Sequence, residues 1–102
     1  MYALLVIFEY NPEAYEGILR ILEQGPEALK VKKGFKSGIY FSDKEKHEFG
    51  AMTIWETKED CDAYEKSSLP TSEVGKMFAP LIAGPIFHRR AFYVDNFFSA
   101  DQ

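Results

Sequence analysis

The chain has 102 residues, of which 46% are hydrophobic and 16% aromatic, with nine Phe, six Tyr and a formal net charge of -4. That length fits a single domain over 1-102, and the longest apolar run, Ala3 to Phe8, is far below the roughly 20 residues needed to span a bilayer. Basic residues fall in two short patches, Lys30 to Lys36 and Arg89-Arg90, too little surface to neutralise a phosphate backbone, so neither nucleic acid nor a membrane is an expected partner.

The opening MYALLVIFEY lacks the basic region and small-residue cleavage site of a secretory signal, so a cytoplasmic address is expected. Tyr2, Leu4, Val6, Phe8 and Tyr10 alternate with Ala3, Leu5, Ile7 and Glu9, which predicts a strand apolar on both faces until its end. Such a strand must be covered on both sides. Asn11 is a natural N-cap and Pro12 suits a first helical position, and Tyr15, Ile18, Leu19 and Leu22 then form an apolar stripe, so a helix is expected from Pro12. Gly25-Pro26 should interrupt it, leaving a further helical turn or two over Pro26 to Lys32 before Gly34 ends the segment.

Phe35, Ser37, Ile39 and Phe41 alternate with Lys36, Gly38, Tyr40 and Ser42 as a second strand, and the polar DKEK run turns the chain. On the returning strand Phe49, Ala51, Thr53 and Trp55 share one face, and Gly50, Met52 and Ile54 the other. Thr57 followed by Asp60 approximates a capping box for a helix from Lys58 to about Lys66. SSLPTSE reads as loop, and Ser72 caps a short helix through Val74, Met77, Phe78 and Leu81, which Gly84-Pro85 breaks. Ile86 to Val94 is the last strand, and the tail DNFFSADQ carries two Phe with no evident place in a core. The single cysteine, Cys61, excludes an intrachain disulfide and reads as a small apolar residue on the inner face of its helix.

The order is βαββαβ, an α+β ferredoxin-like protomer with an antiparallel sheet. Its helices cover only one sheet face, yet the first and third strands are apolar on both, and that much Leu, Val, Phe and Met facing water would be a large exposed patch. A second copy packed sheet to sheet resolves the conflict, so the chain itself, as a homodimer, is the expected partner. The pair Gly34-Phe35, the two following strands and the corner Trp55-Glu56-Thr57-Lys58-Glu59 resemble the antibiotic biosynthesis monooxygenase family of the dimeric α+β barrel superfamily. The resemblance implies two subunits closing a barrel. It also implies activities that include cofactor-free oxygenation of quinols or polyketide phenols and haem degradation, with the corner Trp lining a pocket between sheet and helices.

The sequence departs from both catalytic patterns of that family. Haem degraders carry an Asn near the end of the first strand and a His about one helix length after the Trp, where this chain has Phe8-Glu9 and Tyr64-Glu65. Phenol-oxidising members place an Asn four residues before the Trp and a Tyr six after it, where this chain has Ala51 and Cys61. Only Trp55 carries over.

HExxH, paired Cys, GxSxG, phosphate-loop and dinucleotide patterns are absent from the sequence, so no metal and no cofactor are expected. His47 reads as a turn residue. His88, between Phe87 and Arg89-Arg90, reads either as a polar residue at a sheet edge or as a general base that holds a phenolate, because imidazole titrates near neutral pH. Trp55 reads as core or as a ligand wall; Tyr64 and Tyr40 as packing or as pocket hydroxyls; Glu9 as a solvated strand end or a buried acid. The site expected is a mostly apolar pocket walled by Trp55 and Tyr64, with His88 catalytic on its polar side and Arg90 assisting substrate binding. Two functions fit: a cofactor-independent monooxygenase acting on a small aromatic or quinol-type molecule, and a non-catalytic dimeric module that binds a small apolar ligand or assembles.

Overall fold

The computed structural model describes residues 1–67 and 82–100, with backbone alone for 67 and 82–87. β1 covers Tyr2–Tyr10 and is followed by a 3-10 turn, Pro12–Ala14, and by α1, Tyr15–Lys30. β2 (Phe35–Asp43) and β3 (Glu48–Trp55) form a hairpin, α2 covers Lys58–Ser67, and β4 covers Ile82–Tyr93. The strands make one four-stranded sheet in the order β2-β3-β1-β4, antiparallel throughout. This is the α+β ferredoxin-like arrangement, with the last strand beside the first. The expected short helix through Val74 and Leu81 lies outside the described residues.

Local chemistry sets the boundaries. The Asn11 side chain accepts a hydrogen bond from the Glu13 amide at 3.1 Å and Pro12 takes the first position of the turn, so the chain enters α1 capped. The Asp43 carboxylate accepts from the amides of Glu45 and Lys46 at 3.1 and 3.2 Å, and His47 adopts φ +55°, which together close the β2–β3 turn. Thr57 Oγ1 accepts from the Asp60 amide at 3.1 Å and starts α2.

Three expectations are corrected. Pro26 does not divide α1, which runs unbroken from Tyr15 to Lys30. A proline inside a helix sacrifices one backbone hydrogen bond, and here the burial of Leu29 beyond it, against Leu4, Trp55 and Cys61, holds the final turns in place. Gly84-Pro85 does not precede β4 but lies within it; β4 is an edge strand, where Pro is tolerated, and its pairing with β1 shifts register on either side of Phe8. Finally, β2 slips by one residue between Phe35 and Ser37. Phe35 therefore faces the helices, whereas Ile39 and Phe41 face away.

Pairing across the sheet assigns the described strand side chains to its two faces. Leu4, Val6, Phe8 and Tyr10 of β1 lie beside Thr53, Ala51 and Phe49 of β3 on the helix side. They form two packed groups: Phe8, Tyr10 and Phe49 around Ile18, and Leu4 and Trp55 around Leu29 and Cys61. The opposite face carries Leu5 and Ile7, Met52 and Ile54, Ile39 and Phe41, with Phe92, Arg90 and His88 from β4. No described element covers it, and Ile39 is 64% exposed. No described helix is long and apolar enough to cross a membrane.

Candidate functional site

Among the described residues, the corner after β3 fixes the most deeply buried aromatic side chain. Trp55 is 1% exposed, and its indole N–H donates to Thr53 Oγ1 at 2.8 Å, so its one polar atom is satisfied inside the core. Phe35 meets it edge-on at 5.4 Å between centroids, and Tyr64, one and a half turns into α2, stacks on it at 4.8 Å with the planes 26° apart. Gly34 makes this close approach possible. It sits at φ +80°, its carbonyl accepts from the Glu56 amide at 2.7 Å, and a Cβ there would run into the Asp60 carboxylate. Gly34, Phe35, Trp55 and the start of α2 are thus one mechanical unit.

A cleft of about 480 Å³ opens beside this unit between the C-terminal half of α1 and β2, reaching Leu29, Phe35, Tyr40 and Thr53. Tyr40 lies between the two packed groups and its hydroxyl comes up against Gly25 of α1. Burial raises the Tyr40 phenol above its ordinary value. Burial also pushes the Tyr64 phenol up to about 12, with Tyr40 raising it further and Arg89 opposing the rise. The two phenols and the guanidinium therefore share one neighbourhood, and both phenols are neutral hydrogen-bonding groups at physiological pH. Cys61, 1% exposed beneath Leu4 and Trp55, has its thiol pushed up to about 11, first by burial and then by Asp62 and Glu65. It is a core residue rather than a nucleophile.

The structure brings Trp55 and Tyr64 together and separates them from His88 and Arg90. His88 pairs with Ile7 and Arg90 with Leu5, which places both on the face turned away from the helices, while Trp55 pairs with Tyr2 on the helix side. Arg90 lies with its guanidinium 4.9 Å from the Phe92 ring on that outer face. The expected closure of the Trp55–Tyr64 pocket by His88, with Arg90 assisting, is corrected within one protomer: successive residues of a strand point to opposite faces, and the residue on the pocket side is Arg89, paired with Val6. Its signal was present in the sequence as the neighbour of two singled-out residues, but the register of β4 on β1 decides which of the three faces inward. Glu9 is exposed at its strand end. Among the described residues no group of three or more His, Cys, Asp or Glu side chains is placed to hold a metal ion.

No protein-family model matches the sequence, and no curated protein matches it. Solved structures do match the fold. A protein of unknown function from Nitrosomonas europaea superposes with a TM-score of 0.74 at 13% identity, over 96% of this chain and 92% of its own. An antibiotic biosynthesis monooxygenase matches with a TM-score of 0.65 at 14% identity, over 95% of this chain and 99% of its own. The haem-degrader MhuD from Mycobacterium tuberculosis, solved with two haems bound in its active site, matches at 0.63 and 16% identity, over 97% and 100%. The chain has the fold of antibiotic biosynthesis monooxygenase structures along nearly its whole length.

Proposed function

We propose that the chain is a cofactor-independent, monooxygenase-like protein that acts on a small aromatic or quinol-type molecule held on the helix side of the sheet. The observation that carries this reading is the Trp55–Tyr64 stack, walled by Phe35 and adjoining the cleft at Tyr40 and Thr53. Trp55 itself is core; the open surface is the adjoining cleft, where Leu29 and Phe35 supply apolar walls and Tyr40 and Thr53 neutral hydroxyls, the usual make-up of a small-molecule site. The protein's part is to orient the ring, exclude water and stabilise its deprotonated form, while the substrate itself reduces O2. On a quinol one ring C–H becomes C–OH while the two phenolic O–H groups become C=O, so that one oxygen atom of O2 enters the product and the other leaves as water with the two hydrogens the ring gives up.

Haem does not fit the residues that surround Trp55. His47 stands in the β2–β3 turn with its ring against Tyr10, and His88 lies on the outer face, so neither described imidazole reaches this space as an axial ligand. Centroids of Trp55 and Tyr64 only 4.8 Å apart also leave no gap for a macrocycle between them.

A second reading, a non-catalytic dimeric module for a small apolar ligand, is favoured by one specific observation: Ala51, on the same strand face as Trp55, and the inert Cys61 packed with it stand where phenol-oxidising members supply Asn and Tyr. In either reading the protein is a cytoplasmic homodimer joined through the outer sheet face, and His88 and Arg90 then lie at the subunit interface. Oxygen-electrode measurements with a panel of quinols and anthrones separate the two functions. Saturable uptake, abolished by Tyr64→Ala in a variant that still folds, supports the enzyme; affinity for the panel without uptake establishes the binding module.

A further inference from the structure

We propose that the molecule held between sheet and helices is an aromatic oxyanion, a carboxylate or an acidic phenol, and that Arg89 is the side chain that holds its charge. The inference rests on the ligand site proposed above at Trp55 and Tyr64. Arg89 pairs with Val6 on β1 and points to the helix side, where its Nε is buried and has no hydrogen-bond partner.

A guanidinium carries five N–H donors, accepts nothing and stays charged at any ordinary pH, so it cannot escape burial by losing a proton. Leaving such a donor buried and unmet is costly unless an acceptor arrives. The chain does not provide one among its described residues. The ion pairs Lys30–Glu27, Lys36–Glu56 and Lys58–Asp62 all lie on exposed surface and none includes Arg89. On the sheet Arg89 pairs with Val6, which in turn pairs with Ala51, so the side chains beside it are apolar. On α2 the Arg89 charge acts on Tyr64, and burial keeps that phenol protonated. A fixed cation with an open donor, beside Val6 and within electrostatic reach of the Tyr64 phenol, selects for a flat molecule with a negatively charged oxygen. A neutral ring of the same shape would fill the same apolar surface and leave Nε unmet.

Trp55 is the single Trp of the chain, so its emission reports on this space alone. The experiment compares 2-naphthoate with 2-naphthamide, and pentafluorophenol with phenol, by titrating the full chain at neutral pH. Wild type should bind each anion at least about tenfold more tightly than its neutral partner, as charge-assisted hydrogen bonds exceed neutral ones. Arg89→Gln should erase that preference while the neutral ligands keep their affinity, and Arg89→Lys should retain part of it. Equal binding of anion and neutral molecule by wild type overturns the proposal, as does a preference that survives in a folded Arg89→Gln. Should Arg89→Gln fail to fold, wild-type selectivity and the Arg89→Lys titration decide the matter, since full retention of the preference with lysine assigns it to charge alone and contradicts the fork geometry. If no member of either pair changes Trp55 emission, the ligand site itself is elsewhere and both readings fall; if emission responds equally to both members, the Arg89 assignment alone fails.

Discussion

At the residue scale the site is governed by where protons sit. Tyr64 holds its proton more tightly in the folded chain than the ordinary phenol value of 10.0, with the group pushed up to about 12 by burial. A folded-state value above the unfolded one means stability that is complete below about pH 10 and lost as pH rises towards 12. Cys61 adds the same sign of effect at slightly lower pH, between its ordinary 9.0 and about 11. Urea midpoints measured from pH 8 to 12 should therefore fall with rising pH, and Tyr64→Phe, which cannot ionise, should fall less steeply over the upper half of that range. An identical slope in the variant would mean that Tyr64 is not buried against Trp55. The residues themselves were visible in the sequence, Gly34-Phe35 and the Trp55 corner as the stretches that carry the family resemblance. Their relation to His88, Arg89 and Arg90 was not, because three consecutive polar residues on one strand must split between two faces, and only the pairing of β4 with β1 says which way.

At the element scale the strands were legible because alternation is dictated by the pleat, and β1 and β3 show it without irregularity. The elements that departed from expectation all involve Pro or a slipped register. Pro26 was read as a break because proline weakens a helix locally, yet α1 passes through it since its far end is anchored by Leu29. Tertiary burial outweighs a local preference of this size. Replacing Pro26 by Ala restores a backbone donor to the helix and should stabilise the protein by about 1–2 kcal/mol, less than the roughly 3 kcal/mol intrinsic difference because the unfolded chain also gains freedom. Chemical denaturation checks this, and a destabilised variant would show that the proline ring is needed where it borders the cleft.

At the scale of the whole molecule the sheet has one face covered by helices and one that no described helix covers, and the second is apolar across all four strands: Ile39 and Phe41, Met52 and the buried Ile54, Leu5 and Ile7, and Phe92. The Phe41 ring reaches over Gly50, where a Cβ would meet it, which extends the apolar surface between β2 and β3. A patch of this kind is the mark of an interface, and the doubly apolar strands were enough to raise the expectation before any register was known. Light scattering should give twice the chain mass of 11.7 kDa, with an interface of at least about 1,200–2,000 Å² in total. Met52→Asp places a charge in the middle of that face and should dissociate or unfold the protein; a wild-type monomer at micromolar concentration would contradict the dimer.

The proposed function places the small molecule on the helix side of the sheet, beside Phe35, Tyr64 and the buried Trp55, and not on the outer face with His88 and Arg90. Isotope-filtered NOEs from an unlabelled aromatic ligand such as 2-naphthoate to the labelled protein test it most directly, since the two faces carry different side chains with resolvable ring and methyl protons. Cross-peaks to the rings of Trp55, Tyr64 and Phe35 and none to Met52, Ile54 or Phe92 are expected; cross-peaks to the second set alone would contradict that placement.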